Sequence, residues 1–268
     1  MKTGTLKAVI TGLRNILLGG NLISLSLITT PRALISYITQ NLFFFKSMNN
    51  RRNLPQKNVF EVLPGSANIQ TITLGNLLSN TWFATSSSQA SDISGLSLIC
   101  RIIKPAIVFE IGTLDGYTAL HFALNTPGNA KVYTLDLPKT NPVSPALATT
   151  VVDDDFIGMS RGMGELCFRN EDVSSKITCL AGDSATFDFS PYHGKIDFFF
   201  IDGSHSYEYV RSDTLNALKC CRPGSVIAWH DYGQMGMSGV DRYLDELARQ
   251  GRAIYSIPGG SVAFMVVA

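Results

Sequence analysis

The chain has 268 residues, 45% of them hydrophobic, which supports one sizeable α/β core with an appendage and excludes two large domains. Its net charge of +1 excludes a global field that would recruit nucleic acid or acidic partners. The charge is uneven: residues 1–60 hold eight Lys or Arg and no Asp or Glu, which leaves 14 basic and 21 acidic residues, a net of −7, for the remainder.

Residues 1–85 read as an apolar, basic extension with helical stretches at 5–18 and 31–46. It is expected to pack on the rest of the chain, on a second copy in a homo-oligomer, or over the substrate. The uncharged run 15–31 contains Gly19-Gly20 and ends at Pro31, short of the roughly 20 apolar residues of a spanning helix. Peripheral contact of residues 1–60 with a membrane is the intermediate reading. Phe43-Phe44-Phe45 reads as core or interface, and 49–58 as a linker. The five cysteines are odd in number and show no CxxC spacing, so they are expected to be reduced and mostly buried in a cytoplasmic protein.

From residue 86 the pattern becomes regular. Helical spacing over 90–103 stops before Pro105. Short apolar strands are expected at Ile107–Ile111, Lys131–Leu135, Ile177–Leu180, Ile196–Ile201 and Ser225–Trp229, with helices at Tyr117–Leu124, Tyr207–Cys221 and Val240–Gln250. Ala253–Ile257 and Val262–Val267 are joined only by Pro258-Gly259-Gly260 and a few neighbours, which suits an antiparallel hairpin. The sum is an α/β domain over 86–268: a doubly wound, mostly parallel sheet of seven strands with an antiparallel last strand. The connection 138–176 is long for one helix and its loops, and reads as a lid-like insert. Its Asp153-Asp154-Asp155 reads as a solvated charge run.

Ligands of such sheets bind beyond the carboxyl ends of the strands. The first strand runs into Glu110-Ile-Gly-Thr-Leu-Asp-Gly-Tyr-Thr, where Gly112 and Gly116 permit a tight turn and close ligand approach. Gly112, Thr113, Gly116 and Tyr117 are therefore candidate cofactor contacts, with the strand-end residues Asp136, Asp183, Ser184 and Asp202. An acid at Asp136 can accept both hydroxyls of a ribose. The glycine spacing differs from the Gly-x-Gly-x-x-Gly of dinucleotide sites. Asp202-Gly-Ser-His205 and His230-Asp231-Tyr232 follow the fourth and fifth strands, so His205 or His230 is a candidate general base. Asp202 can equally cap the next helix, and His230-Asp231 can be turn residues. Trp229 and Tyr232 read as walls of an acceptor pocket, or Trp229 as core. His121 reads as packed or surface, and His193 as a turn.

Segment 107–136 and the run Gly182–Tyr232, with Phe-Ile-Asp-Gly-Ser-His-Ser-Tyr-Glu and Arg-Pro-Gly-Ser-Val-Ile-Ala-Trp-His-Asp-Tyr, resemble class I S-adenosylmethionine-dependent methyltransferases of Rossmann-like fold. The likeness is to the bacterial small-molecule and sugar O-methyltransferases, similar to caffeoyl-CoA-type and cephalosporin hydroxylase-like proteins. It covers about 90–268. It implies O-methylation of a small metabolite or saccharide, with Glu110, Gly112, Asp136 and Asp183 on the cofactor. It also implies a divalent metal on Asp202, His230 and Asp231, although His230 stands where that pattern has a carboxylate and argues for manganese, iron or zinc over magnesium. A histidine base without metal, a non-catalytic scaffold or membrane-associated protein with this fold, and an NAD-dependent reductase stay open as alternatives. Nucleic acid is not an expected partner, because the domain is net acidic.

Overall fold

The computed structural model describes residues 53–65, 69, 71–75, 87–140, 143–162, 166–234 and 237–268, all within the compact unit Asn50–Ala268. The helices expected at 5–18 and 31–46, the run 15–31 and Phe43–Phe45 lie outside the described residues. Among the described residues no helix is long and apolar enough to cross a membrane.

In chain order the elements are α1 (Val59–Val62), α2 (Ser87–Ile103), β1 (Ile107–Ile111), α3 (Tyr117–Asn125), β2 (Lys131–Asp136), α4 (Val151–Gly162), β3 (Ile177–Ala181), β4 (Ile196–Ile201), α5 (Tyr207–Cys220), β5 (Cys221–Trp229), α6 (Ser238–Arg249), β6 (Ile254–Ser256) and β7 (Ala263–Val266). The strands form one sheet of order β3-β2-β1-β4-β5-β7-β6. Pairing is parallel from β3 to β5, and β7 runs antiparallel to both β5 and β6. This is the doubly wound sheet with a closing hairpin that the strand pattern implies.

The central strands alternate between two cores. Phe109, Ile111, Leu135, Phe199 and Ile201 face one side, where α5 and α6 supply Val210 and Leu244. Val108, Val132, Phe198 and Phe200 face the other, where α2 and α3 supply Leu96, Ile99, Leu120 and Phe122. Burying each such side chain contributes about 1.5–3 kcal/mol, so β4, buried at every position, anchors both layers. Its one acid, Asp197, accepts the amides of Ala106 and Ile107 at 2.8 and 3.0 Å and pairs with Arg222.

Three points differ from the sequence reading. The strand β5 begins at Cys221 rather than Ser225, because its register against β4 shifts between the Ile196 and Phe198 pairings and accommodates Pro223-Gly224 as a bulge. The described part of the expected linker, 53–58, is packed: Leu54 is buried and Gln56 bridges to Ser256. The Tyr232 hydroxyl accepts the amides of Asn53 and Leu54 and donates to Asp245 Oδ1, each at 3.0 Å. Tyr232 is thus core rather than an acceptor wall, as is Trp229, whose indole donates to Thr214 Oγ1 at 2.9 Å. Tyr232→Phe strands two amides and is expected to cost about 2 kcal/mol, seen as a lower urea midpoint with unchanged slope. An unmoved midpoint would show that this hydroxyl does not hold the segment.

All five cysteines are free, with Cys100, Cys220 and Cys221 buried and Cys179 exposed. His121 is a core histidine whose Nδ1 meets the Tyr117 carbonyl at 2.8 Å, while its Nε2 accepts the Gly75 amide at 3.1 Å. His193 is exposed and ends a short 3-10 turn.

Candidate active site at the carboxyl edge of the sheet

A cleft of about 250 Å³ opens where the strands end. Its floor is the turn after β1. Gly112 sits at φ +98°, and a Cβ there would lie 2.0 Å from the Asp202 carbonyl oxygen, so the close approach of the β1 and β4 ends requires glycine. Gly116, at φ +84°, opens α3 under the Phe168 ring, to which an added Cβ would come within 2.5 Å. Leu114 also takes a left-handed φ of +48°, a strained conformation for a branched side chain.

Asp136 stabilises this turn. Its Oδ2 accepts the amides of Thr113 and Leu114 at 3.2 and 2.9 Å, and its Oδ1 accepts that of Leu137 at 2.7 Å. Burial nevertheless raises its pKa, against the lowering effect of those three donors. A carboxylate has about four acceptor positions, so one remains for a ligand. Asp183 takes the Tyr209 hydroxyl at 3.0 and 2.9 Å and the Ala146 amide at 2.6 Å. Gly112, Thr113, Tyr117, Asp136, Asp183, Ser184 and Asp202 all line the cleft. Glu110 does not. It is fully buried behind the turn, where its Oε2 accepts from Thr134 at 2.5 Å and Thr134 in turn meets Thr113 at 2.6 Å. Burial, then the charges of Asp202, Asp136 and Asp115, push its pKa well up despite the Thr134 bond, and Glu110 supports the turn from behind through Thr134.

The opposite end holds an ionic cluster. His205 Nδ1 meets Asp153 Oδ1 at 2.6 Å, and its Nε2 meets Asp231 Oδ2 at 2.8 Å. Both partners are acceptors, so the ring donates at both nitrogens and is an imidazolium. Burial alone would lower its pKa; the two carboxylates outweigh that and push it up to about 10. Burial likewise acts to raise Asp153, but His205 brings it down to about 2. His230 Nδ1 lies 3.2 Å from both Asp202 Oδ1 and Asp231 Oδ2, and its Nε2 lies 3.3 Å from Asp92 Oδ2. Here too burial acts downward, and the charges of Asp202 and Asp231 carry the pKa well up. Asp231 is lowered by His230 and His205 against its own burial, and sits at a left-handed φ of +62°.

Two members of this cluster have no counterpart among the sequence candidates. Asp153 is buried, while Asp154 and Asp155 are exposed, so only part of that run is a solvated face. The signal was helical spacing: Asp153, Phe156, Ile157 and Ser160 share one face of α4, and all four line the cleft. Asp92 on α2 accepts the Ser261 and Val262 amides at 2.7 and 3.1 Å, a partnership that no local pattern announces. Among the described residues, Asp202, His205 and Asp231 can each bring one ligand atom within 4.8 Å of the others, a set whose imidazole is His205 and not His230.

Residues 109–232 match a family model described as a methyltransferase domain. No curated protein matches the chain. Among solved structures, the chain is similar to an O-methyltransferase from Streptomyces achromogenes involved in tomaymycin synthesis, in complex with S-adenosylmethionine (19% identity, TM-score 0.45, covering 67% of this chain and 81% of that one). An O-methyltransferase from Bacillus cereus, in complex with S-adenosylhomocysteine, matches at 19% identity and TM-score 0.45, over 68% and 81%. A Podospora anserina methyltransferase bound to S-adenosylhomocysteine matches at 18% identity and TM-score 0.49, over 72% and 84%.

Proposed function

We propose that this chain, whose residues 109–232 match a methyltransferase domain model, is an S-adenosylmethionine-dependent O-methyltransferase of a small hydroxylated acceptor. The observation that carries the reading is the shape of this cleft. A glycine turn with Asp136 and Asp183 stands at one end, and an ionic cluster of two histidines and four aspartates at the other.

The turn residues Gly112, Thr113, Gly116 and Tyr117, with Asp136, Asp183 and Ser184, fit a nucleoside cofactor: two glycines hold the backbone in its bend, and Asp136 keeps an unused acceptor position. When bound, the cofactor supplies an electrophilic methyl group on a sulfonium. The chain's own task is to orient a hydroxyl and take its proton. Asp202, with a quarter of its side chain exposed, is the most open carboxylate of the cluster and receives the proton, with His230 supporting it through Nδ1 at 3.2 Å. His205 has no free lone pair in this arrangement. It positions Asp231 and ties α4 to the sheet edge through Asp153.

A metal-assisted variant has its own observation, the Asp202, His205 and Asp231 set. With the His205 Nε2 proton given up, that mixed oxygen and nitrogen set would suit manganese, iron or zinc better than magnesium, and a metal there would lower the hydroxyl pKa in place of Asp202 acting as base. Calorimetry tests both. The full chain is expected to bind S-adenosylmethionine, and Asp136→Ala to weaken it at least about 100-fold, since a buried charge-assisted contact is lost. No binding by the wild type would sink the enzyme reading. Methyl transfer unaffected by a chelator would eliminate the metal variant.

A further inference from the structure

The wall beside the ionic cluster is apolar. Ile93 and Leu96 come from α2, Phe156 and Ile157 from α4, and Phe200 and Met237 complete it. The charges bordering that wall are net negative. Asp92, Asp153, Asp202 and Asp231 surround His205 and His230, and four carboxylates outnumber two imidazoliums even with both rings charged. Among the described residues, no lysine or arginine lines the cleft. Lys139, on the rim of the turn, is engaged with the Leu114 carbonyl at 3.2 Å.

We propose that the acceptor is an apolar-bodied alcohol or phenol that carries no anionic group inside the cleft, a substrate class that rests on the methyltransferase reading above. A phosphate or carboxylate near the reacting hydroxyl would lose its water beside a net negative cluster, with no lysine or arginine among the described lining residues to compensate. An aromatic or alicyclic body gains by covering the apolar wall. A saccharide fits less well. Its hydroxyls need partners on every edge, and two of the acids lining the cleft are already engaged: Asp153 with His205, Ser204 and Thr150, and Asp183 with Tyr209, Ala146 and Ala185.

The test is calorimetric titration of the full chain, saturated with S-adenosylhomocysteine, using phenols that share one ring: para-hydroxybenzyl alcohol, tyramine, para-hydroxybenzoate and para-hydroxyphenyl phosphate, with glucose as the saccharide. The neutral and cationic phenols are expected to bind at least about 10-fold more tightly than the two anions and glucose. Ile157→Lys, which puts a cation in the wall, should narrow the gap between alcohol and benzoate by about 10-fold, whereas Ile157→Gln should leave the ratio unchanged. Equal or tighter binding of the anions by the wild type, or binding by none of the phenols, overturns the proposal. S-Adenosylhomocysteine that binds while the anions are preferred sinks the acceptor class alone; failure to bind it sinks the methyltransferase reading as well.

Discussion

Gly112→Ala is expected to lower stability by about 3 kcal/mol or more, a drop of roughly 6–12 °C in Tm, and to weaken S-adenosylmethionine binding by at least about 100-fold. Two costs coincide. The backbone holds φ +98°, which an L side chain rarely adopts, and the new Cβ would sit 2.0 Å from the Asp202 carbonyl oxygen. That oxygen is backbone at the end of a strand buried at every position, so relief requires β1 and β4 to part at the floor of the cleft. Gly116→Ala is the internal comparison. It also stands at positive φ, but its Cβ meets the Phe168 ring, a side chain that can rotate away. The expected order of damage is Gly112→Ala above Gly116→Ala in both melting temperature and cofactor affinity. Equal damage, or a Gly112→Ala protein that melts with the wild type, would refute this account of the turn.

The same turn shows how much was legible beforehand. Buried parallel strands are short apolar runs closed by glycine or aspartate, so all seven strands, the hairpin and the residues at the strand ends can be read locally. Pairings across the site cannot. Asp153 sits among three acids, two of them solvated, and only its helical spacing with Phe156, Ile157 and Ser160 betrays the inward turn. Asp92 meets Ser261 across 169 residues of chain, a distance no local pattern spans. Glu110 shows the converse. Its place beside the glycine turn suggests a ligand contact, yet strand alternation points its side chain into the layer between sheet and helices, onto Thr134. Leu54 and Gln56 look like linker because Asn, Arg and Pro surround them; what fixes them is contributed from far along the chain, the Tyr232 hydroxyl on the amides of Asn53 and Leu54 and the bridge of Gln56 to Ser256.

His205 and Asp153 also give the domain a signed pH dependence. His205 is raised from 6.5 to about 10 in the folded protein, so the stability it contributes is complete below pH 6.5 and is lost as pH climbs through 10. Asp153 is depressed from 3.8 to about 2, so its contribution is present above 3.8 and is lost as pH falls through 2. Both are in place only between those unfolded values, and His230, also raised, adds to the alkaline side. Measured with a chelator present, Tm of the wild type should therefore be highest in mildly acidic buffer and fall between pH 6.5 and 10. Removing the ionisable ring with His205→Gln should flatten that fall by the equivalent of about 3 kcal/mol, or roughly 6–12 °C, after discounting for charge shared with His230. At pH 10 the two proteins should differ least, because the wild-type ring has then surrendered most of its advantage. Parallel profiles for wild type and His205→Gln would mean that the ring is not held as a cation between Asp153 and Asp231, and that the clamp tying α4 to the sheet edge is not ionic.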